Sequence, residues 1–101
     1  MNRPLLPPAS ARDTARDTAR AEIEALALSA ETPEAANGYR HAALIIGLFP
    51  AVPRALRQLR QHAGFTGSSA KAAAYRRAAD LLAAHAGEAA ADPIPSFALV
   101  P

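Results

Sequence analysis

Alanine is the residue that most limits what this chain can fold into, because it makes up 28 of the 101 residues. Alanine has the highest helix propensity of all residues, but its side chain buries little apolar area. Between Ile23 and Leu82 only 14 aliphatic or phenylalanine side chains are larger than alanine. The sequence therefore favours a single small all-α domain with a lean core, and a lean core favours association between protomers.

Proline, glycine and capping residues divide the chain into one domain, residues 10–87, with four predicted helices. We expect these helices at about 10–30, 33–49, 53–63 and 69–86, arranged as a small four-helix bundle of two helical hairpins. Thr32-Pro33 is a typical helix start. Pro50 and Pro53 interrupt helical structure before the third helix, and Gly64 predicts the end of that third helix. Predicted N-caps of the first and fourth helices are Ser10 and either Ser68 or Ser69. Extended proline-rich ends are expected at residues 1–9 and 88–101.

The second predicted helix contains a weak point and the expected centre of the core. Asn37-Gly38 is also a turn dipeptide, which would delay the start of this helix. Large apolar residues surround the helix axis in its second half, namely Leu44, Ile45, Ile46, Leu48 and Phe49. We therefore expect that half to be the most buried element of the fold.

Basic residues are concentrated in the middle of the chain. No acidic residue lies between Glu34 and Asp80, and seven basic residues do. Both flanks carry net negative charge, so the whole chain has a formal net charge of only +2. Local charge, more than the total, selects an anionic partner. The third and fourth helices are thus predicted to form a basic binding surface with Arg54, Arg57, Arg60, Lys71, Arg76 and Arg77.

Two functions fit this charge pattern. The first is a non-catalytic protein-interaction or adaptor module, associating as a homodimer, whose basic surface binds an acidic protein partner. The alternative is a nucleic-acid-binding regulator that places the same side chains against phosphates. Residues 56–66 resemble the opening of helix-turn-helix domains in bacterial repressors, which implies DNA binding. A long alanine-rich helix follows where that family has a short second helix and a separate recognition helix, and few residues could read bases. The interaction module therefore ranks first.

The start of the fourth helix is a second candidate anion site. Gly67, Ser68 and Ser69 could present backbone N–H groups at a helix N-terminus, an arrangement suited to phosphate or carboxylate. Ordinary turn and capping chemistry would explain the same three residues.

Catalysis, metal binding and membrane insertion are not expected. Ser68 and Lys71 satisfy the Ser-x-x-Lys pattern of penicillin-interacting enzymes, but the companion motifs of those enzymes are missing. His41, His62 and His85 are too widely spaced to predict a metal site. No cofactor or small-molecule substrate is indicated. The chain has no cysteine, and its longest apolar run, 42–53, is too short to span a bilayer, so a cytoplasmic protein without a membrane partner is predicted.

Overall fold

Four α-helices make up most of the part of the chain that the computed structural model describes, which is residues 8–90, with side chains described for 14–87. The helices are α1 (Pro8–Leu28), α2 (Pro33–Leu48), α3 (Val52–Phe65) and α4 (Ser69–Ala90). No strand occurs within residues 8–90. The prediction of an all-α four-helix bundle is confirmed. Apart from residues 8–9 and 88–90, which are helical, the predicted extended ends lie outside the described residues.

The outer helices are longer than predicted at the ends of the domain. α1 begins at Pro8, so Ser10 lies inside the helix and is not its N-cap. Proline is well tolerated in the first turn of a helix, where its missing N–H would have no intrahelical partner. At the other end, α4 continues through Gly87 to Ala90, because the residues after that glycine are good helix formers. α1, by contrast, ends two residues earlier than expected, at Leu28.

The connections between helices confirm one predicted signal and contradict another. Thr32 is the N-cap of α2, and its Oγ1 accepts a hydrogen bond from the Ala35 N–H at 3.1 Å. Gly64, in contrast, lies within α3 and does not end it. The helix ends at Phe65, and Thr66 leaves it with extended backbone (φ −70°, ψ 142°) while donating its N–H to the His62 carbonyl. The end of α3 therefore does not use a residue in the left-handed conformation, which is the conformation that favours glycine.

α4 is the central helix of the bundle, because it packs extensively against each of the other three. α2 also packs against α1, whereas its contact with α3 is smaller. The largest fully buried side chains come one from each helix: Ile23, Ile46, Leu59 and Leu82. Most of the remaining buried core is alanine, in agreement with the lean core expected from the composition.

The second half of α2 is not the most buried element, and that prediction was wrong. Ile45 and Ile46 are buried, but Leu44 is 53% exposed and Leu48 is 65% exposed. The reason is that α2 lies at the side of the bundle and turns one face toward α1 and α4. Its other face therefore carries large apolar side chains that no described helix covers.

Gly38 lies inside α2 and does not form the turn that the Asn37-Gly38 pair suggested. A Cβ added at this position would lie 2.8 Å from the Cβ of Ala74 and 3.2 Å from the Cα of Lys71. The glycine therefore allows the backbones of α2 and α4 to approach more closely than an alanine would.

Candidate functional site

Four of the six predicted basic residues line one continuous surface on the α3–α4 hairpin. A shallow depression on α3 is lined by Pro53, Leu56, Arg57, Arg60 and Gln61. A second depression on α4 is lined by Ala73, Arg76, Arg77, Asp80 and Leu81. A third lies between the helices and shares Arg60 with the first and Arg76 and Asp80 with the second. We call this surface, with Arg57, Arg60, Arg76 and Arg77, the arginine groove.

The arginines of the groove are exposed and have no ion pair with a described carboxylate. Within the side chains that the structure describes, an ion pair joins Arg20 to Glu24 at 3.5 Å, and Nε2 of His85 lies 3.2 Å from Oε1 of Glu22. Asp80 lies in the groove, one helical turn after Arg76, but does not approach Arg76 within salt-bridge distance. The positive charge of the groove is therefore only partly offset by a neighbouring acid.

The other two predicted basic residues are not part of this groove. Arg54 is exposed in the first turn of α3 and does not line any of the three depressions. Lys71 lies on the side of α4 that faces α2, where its backbone packs against Gly38. The six basic residues thus do not share one face, because α4 directs Lys71 and the paired arginines to different sides.

Local capping accounts for much of the N-terminus of α4, the second predicted anion site. The Ser68 hydroxyl accepts the Lys71 N–H at 3.2 Å, so Ser68 is the residue that caps the helix. The Ser68 N–H in turn donates to Oγ1 of Thr66, also at 3.2 Å. Two of the backbone donors around Gly67, Ser68 and Ser69 are therefore already used within the protein.

The structure also brings together three aromatic polar side chains that the sequence did not link. His41 of α2, His62 of α3 and Tyr75 of α4 form a compact group, which we call the histidine–tyrosine cluster. The two imidazole rings have centroids 5.0 Å apart and are nearly perpendicular. The ring of Tyr75 lies 5.7 Å from that of His41 and 5.6 Å from that of His62. No sequence motif could have indicated this group, since its members come from three different helices.

Hydrogen bonds fix the geometry of the histidine–tyrosine cluster. Nδ1 of His41 lies 2.6 Å from the hydroxyl oxygen of Tyr75, whose side chain is almost fully buried. Nδ1 of His62 lies 2.9 Å from the carbonyl oxygen of Gln58. Since a carbonyl can only accept, Nδ1 of His62 carries the proton, and its Nε2 is the acceptor nitrogen in the neutral ring.

The surroundings of the cluster disfavour additional positive charge. His41 as a residue is exposed, but partial burial of its ring, followed by the nearby His62 and Lys71, lowers its pKa below the ordinary value of 6.5. Burial raises the pKa of Tyr75 above its ordinary value of 10.0. All three influences on His41 act in the same direction, and none of them comes from a carboxylate among the described side chains.

The remaining histidine, His85, lies apart from this cluster, and its Nε2 is 3.2 Å from Oε1 of Glu22 on α1. In the part of the chain covered by the structure, no three histidine, aspartate or glutamate side chains are grouped as a metal site would require.

Comparison of the chain with family models, with curated proteins and with solved structures gives no match. None of the helices in residues 8–90 combines the length and the apolar character needed to cross a membrane.

Proposed function

We propose that this chain is a small non-catalytic helical interaction module whose arginine groove binds an acidic segment of a partner protein. The observation that supports this most directly is the convergence of arginines from α3 and α4 on one surface. Arginine is enriched at protein interfaces because its planar guanidinium can bond a carboxylate in bidentate fashion.

Apolar residues at the two ends of the groove favour a protein segment as the ligand. Leu56 lies beside Arg57 and Arg60, and Leu81 lies beside Arg76 and Arg77. Both leucines are partly buried and pack against the core, so they offer firm apolar contacts next to the charges. An amphipathic helix with glutamates beside leucines would match this alternation of charge and apolar surface.

Nucleic acid is the second candidate ligand, and the exposure of the groove arginines favours it. Guanidinium groups bind phosphates well, and such binding weakens steeply as the salt concentration rises, because the release of counterions from the nucleic acid then gains less entropy. Asp80 lies within the groove and would repel either kind of anionic ligand, so it does not distinguish them. We rank the acidic protein segment first because of the partly buried Leu56 and Leu81 beside the arginines.

The test uses fluorescence anisotropy with three labelled probes: an acidic amphipathic peptide, a scrambled peptide of the same composition, and a mixed-sequence DNA duplex. We expect the amphipathic peptide to bind more tightly than the scrambled one. Arg60→Glu should weaken its binding about tenfold, which corresponds to about 1.4 kcal/mol. Arg40→Glu is the matched control, because it makes the same charge change on α2, outside the groove.

Two results would contradict the proposal. Equal losses in Arg60→Glu and Arg40→Glu would mean that only the net charge attracts the peptide. Binding to the duplex alone, with an affinity that falls steeply with salt, would favour the nucleic-acid alternative.

We further propose that the chain associates with a second copy through the outer face of α2. Leu44 and Leu48 are one helical turn apart on this face, and both are more than half exposed. Burying them in a dimer would add apolar area to a lean core.

Light scattering should give a dimer for the wild type and a monomer for the Leu44→Gln/Leu48→Gln variant. Leu28→Gln, which changes a leucine that is 87% exposed on α1, should remain dimeric. A wild-type protein that stays monomeric at high concentration would refute self-association.

A further inference from the structure

The histidine–tyrosine cluster lies where α2, α3 and α4 meet, and it supplies the cross-helix hydrogen bond from α2 to the central helix. We propose that this cluster is an acid-sensitive joint, which holds α2 on the α3–α4 hairpin at neutral pH and weakens when His41 takes up a proton. This inference does not depend on what the arginine groove binds.

The geometry of the hydrogen bonds is the first argument. The 2.6 Å contact between Nδ1 of His41 and the Tyr75 hydroxyl is short for a bond of this kind, which fits the phenol donating to a neutral imidazole. A protonated His41 carries hydrogen on both ring nitrogens and can only donate to Tyr75. The hydroxyl proton, on a side chain that is 4% exposed, would then need another acceptor. Protonation therefore reverses the hydrogen bond between α2 and α4 and leaves the hydroxyl proton without the acceptor that it has in the neutral cluster, which weakens the contact.

The charges around His41 are the second argument. α3 contributes His62, with its ring centroid 5.0 Å away, and α4 contributes Lys71 together with the neutral Tyr75. On α2 itself, Glu34 is two turns earlier, about 10 Å along the helix axis, which is beyond effective range in physiological salt. None of the influences resolved for His41 comes from a described acid on α1, and every one of them disfavours the charged form. Protonating His41 would thus add positive charge near Lys71 with no described carboxylate nearby to neutralise it.

The direction of the pH dependence follows from these surroundings. His41 binds a proton less readily in the folded chain than in the unfolded chain, whose histidines titrate near pH 6.5. Below this pH the unfolded state binds more protons than the folded state, so stability falls as the pH is lowered. The contribution of the neutral cluster is fully present above about pH 6.5 and is lost progressively below it.

The test compares thermal unfolding at about pH 7.5 and about pH 5.5, a range in which ordinary carboxylates stay ionised. We expect the wild-type Tm to fall between these pH values, and the Tm of His41→Gln to fall clearly less. His85→Gln is the control, because it removes a histidine that lies outside the cluster, beside Glu22. The Tm of that variant should fall as much as the Tm of the wild type.

NMR on the wild-type protein provides a readout that does not require a variant to fold. The imidazole of His41 should titrate below pH 6.5, and hydrogen exchange corrected for pH should accelerate in α2 more than in α4 as the pH falls. Titration of His41 at or above pH 6.5, or equal pH dependence of Tm in the wild type and His41→Gln, would overturn the inference.

Discussion

The close approach of α2 and α4 at Gly38 leads to a prediction that runs against helix propensity. In a helix interior, replacing glycine with alanine normally stabilises the protein by about 1 kcal/mol. At Gly38 the new methyl group would lie 2.8 Å from the Cβ of Ala74, whereas ordinary contacts between such atoms begin at 3.4 Å. The other near atoms, at 3.2 and 3.4 Å, belong to the backbone of Lys71. No flexible side chain can move aside, so the two helices themselves must separate.

The expected magnitude follows from two opposing terms. Overpacking a well-packed contact costs about 1–3 kcal/mol, and the gain in helix propensity offsets about 1 kcal/mol of it. Gly38→Ala should therefore destabilise the fold by up to about 2 kcal/mol. A destabilisation of about 1 kcal/mol, the middle of this range, would lower the Tm by about 4–8 °C for a domain of this size. Urea unfolding followed by circular dichroism, together with thermal scans, measures both quantities.

Two other helical glycines serve as matched controls for this substitution. A Cβ at Gly47 would meet only the guanidinium of Arg20, at 3.2 Å or more, and this group is the end of a flexible side chain. A Cβ at Gly64 would meet nothing within 4 Å. Stability should therefore increase in the order Gly38→Ala, Gly47→Ala, Gly64→Ala, with the last above the wild type by up to about 1 kcal/mol.

A double variant tests whether the Ala74 methyl group is the cause. Gly38→Ala combined with Ala74→Gly should be more stable than the sum of the two single effects predicts, because the overlapping pair of methyl groups is gone. If Gly38→Ala is as stable as Gly64→Ala, α2 and α4 are not in close contact at Gly38 and the prediction is wrong.

Three further predictions concern the cap, the core and the buried hydroxyl. Thr32→Ala should cost about 1 kcal/mol through loss of the N-cap bond, while Thr32→Ser should retain most of the stability in the same urea assay. Ile46→Ala should lower the free energy of unfolding by about 2–5 kcal/mol, because Ile46 is fully buried. Leu48→Ala in the monomer should change it by less than about 0.5 kcal/mol, because Leu48 is exposed. Similar losses in the two variants would contradict the assigned burial. Tyr75→Phe should destabilise the protein by about 1 kcal/mol at neutral pH and reduce the fall of its Tm between about pH 7.5 and about pH 5.5. A Tm that is unchanged at both pH values would show that the hydrogen bond to His41 contributes nothing.

Local signals in the sequence predicted the helices well and their exact ends less well. Thr32 with Pro33 gave the start of α2 correctly, because capping is decided by neighbours within one turn. Gly64 and Gly87 did not end their helices, since glycine permits a left-handed residue without requiring one. At Gly38 the sequence suggested a turn, whereas contact with a helix more than 30 residues away explains why glycine is there. No local pattern contains this information.

The binding surfaces were predictable in composition but not in arrangement. The acid-free stretch predicted a basic surface on α3 and α4, and four of the predicted arginines line the groove. Lys71 was grouped with them because it is close in sequence, yet the rotation of α4 turns it toward α2. The histidine–tyrosine cluster depends on where three helices cross, and such crossings are set by side-chain packing that one helix pattern cannot reveal.

The absence of acidic residues between Glu34 and Asp80 has two separate consequences in the fold. On the outer side of the hairpin it leaves the groove arginines without described ion pairs, which favours an anionic partner. On the side that faces α2 it leaves the cluster around His41 without a carboxylate, which makes that junction sensitive to acid. The two effects can be separated because Arg60 and His62 point to different sides of α3. Arg60→Glu should weaken peptide binding and leave the pH dependence of Tm unchanged, and His41→Gln should do the reverse. If either variant changed both properties, groove and joint would be coupled through α3, and the two sites could not be treated as independent.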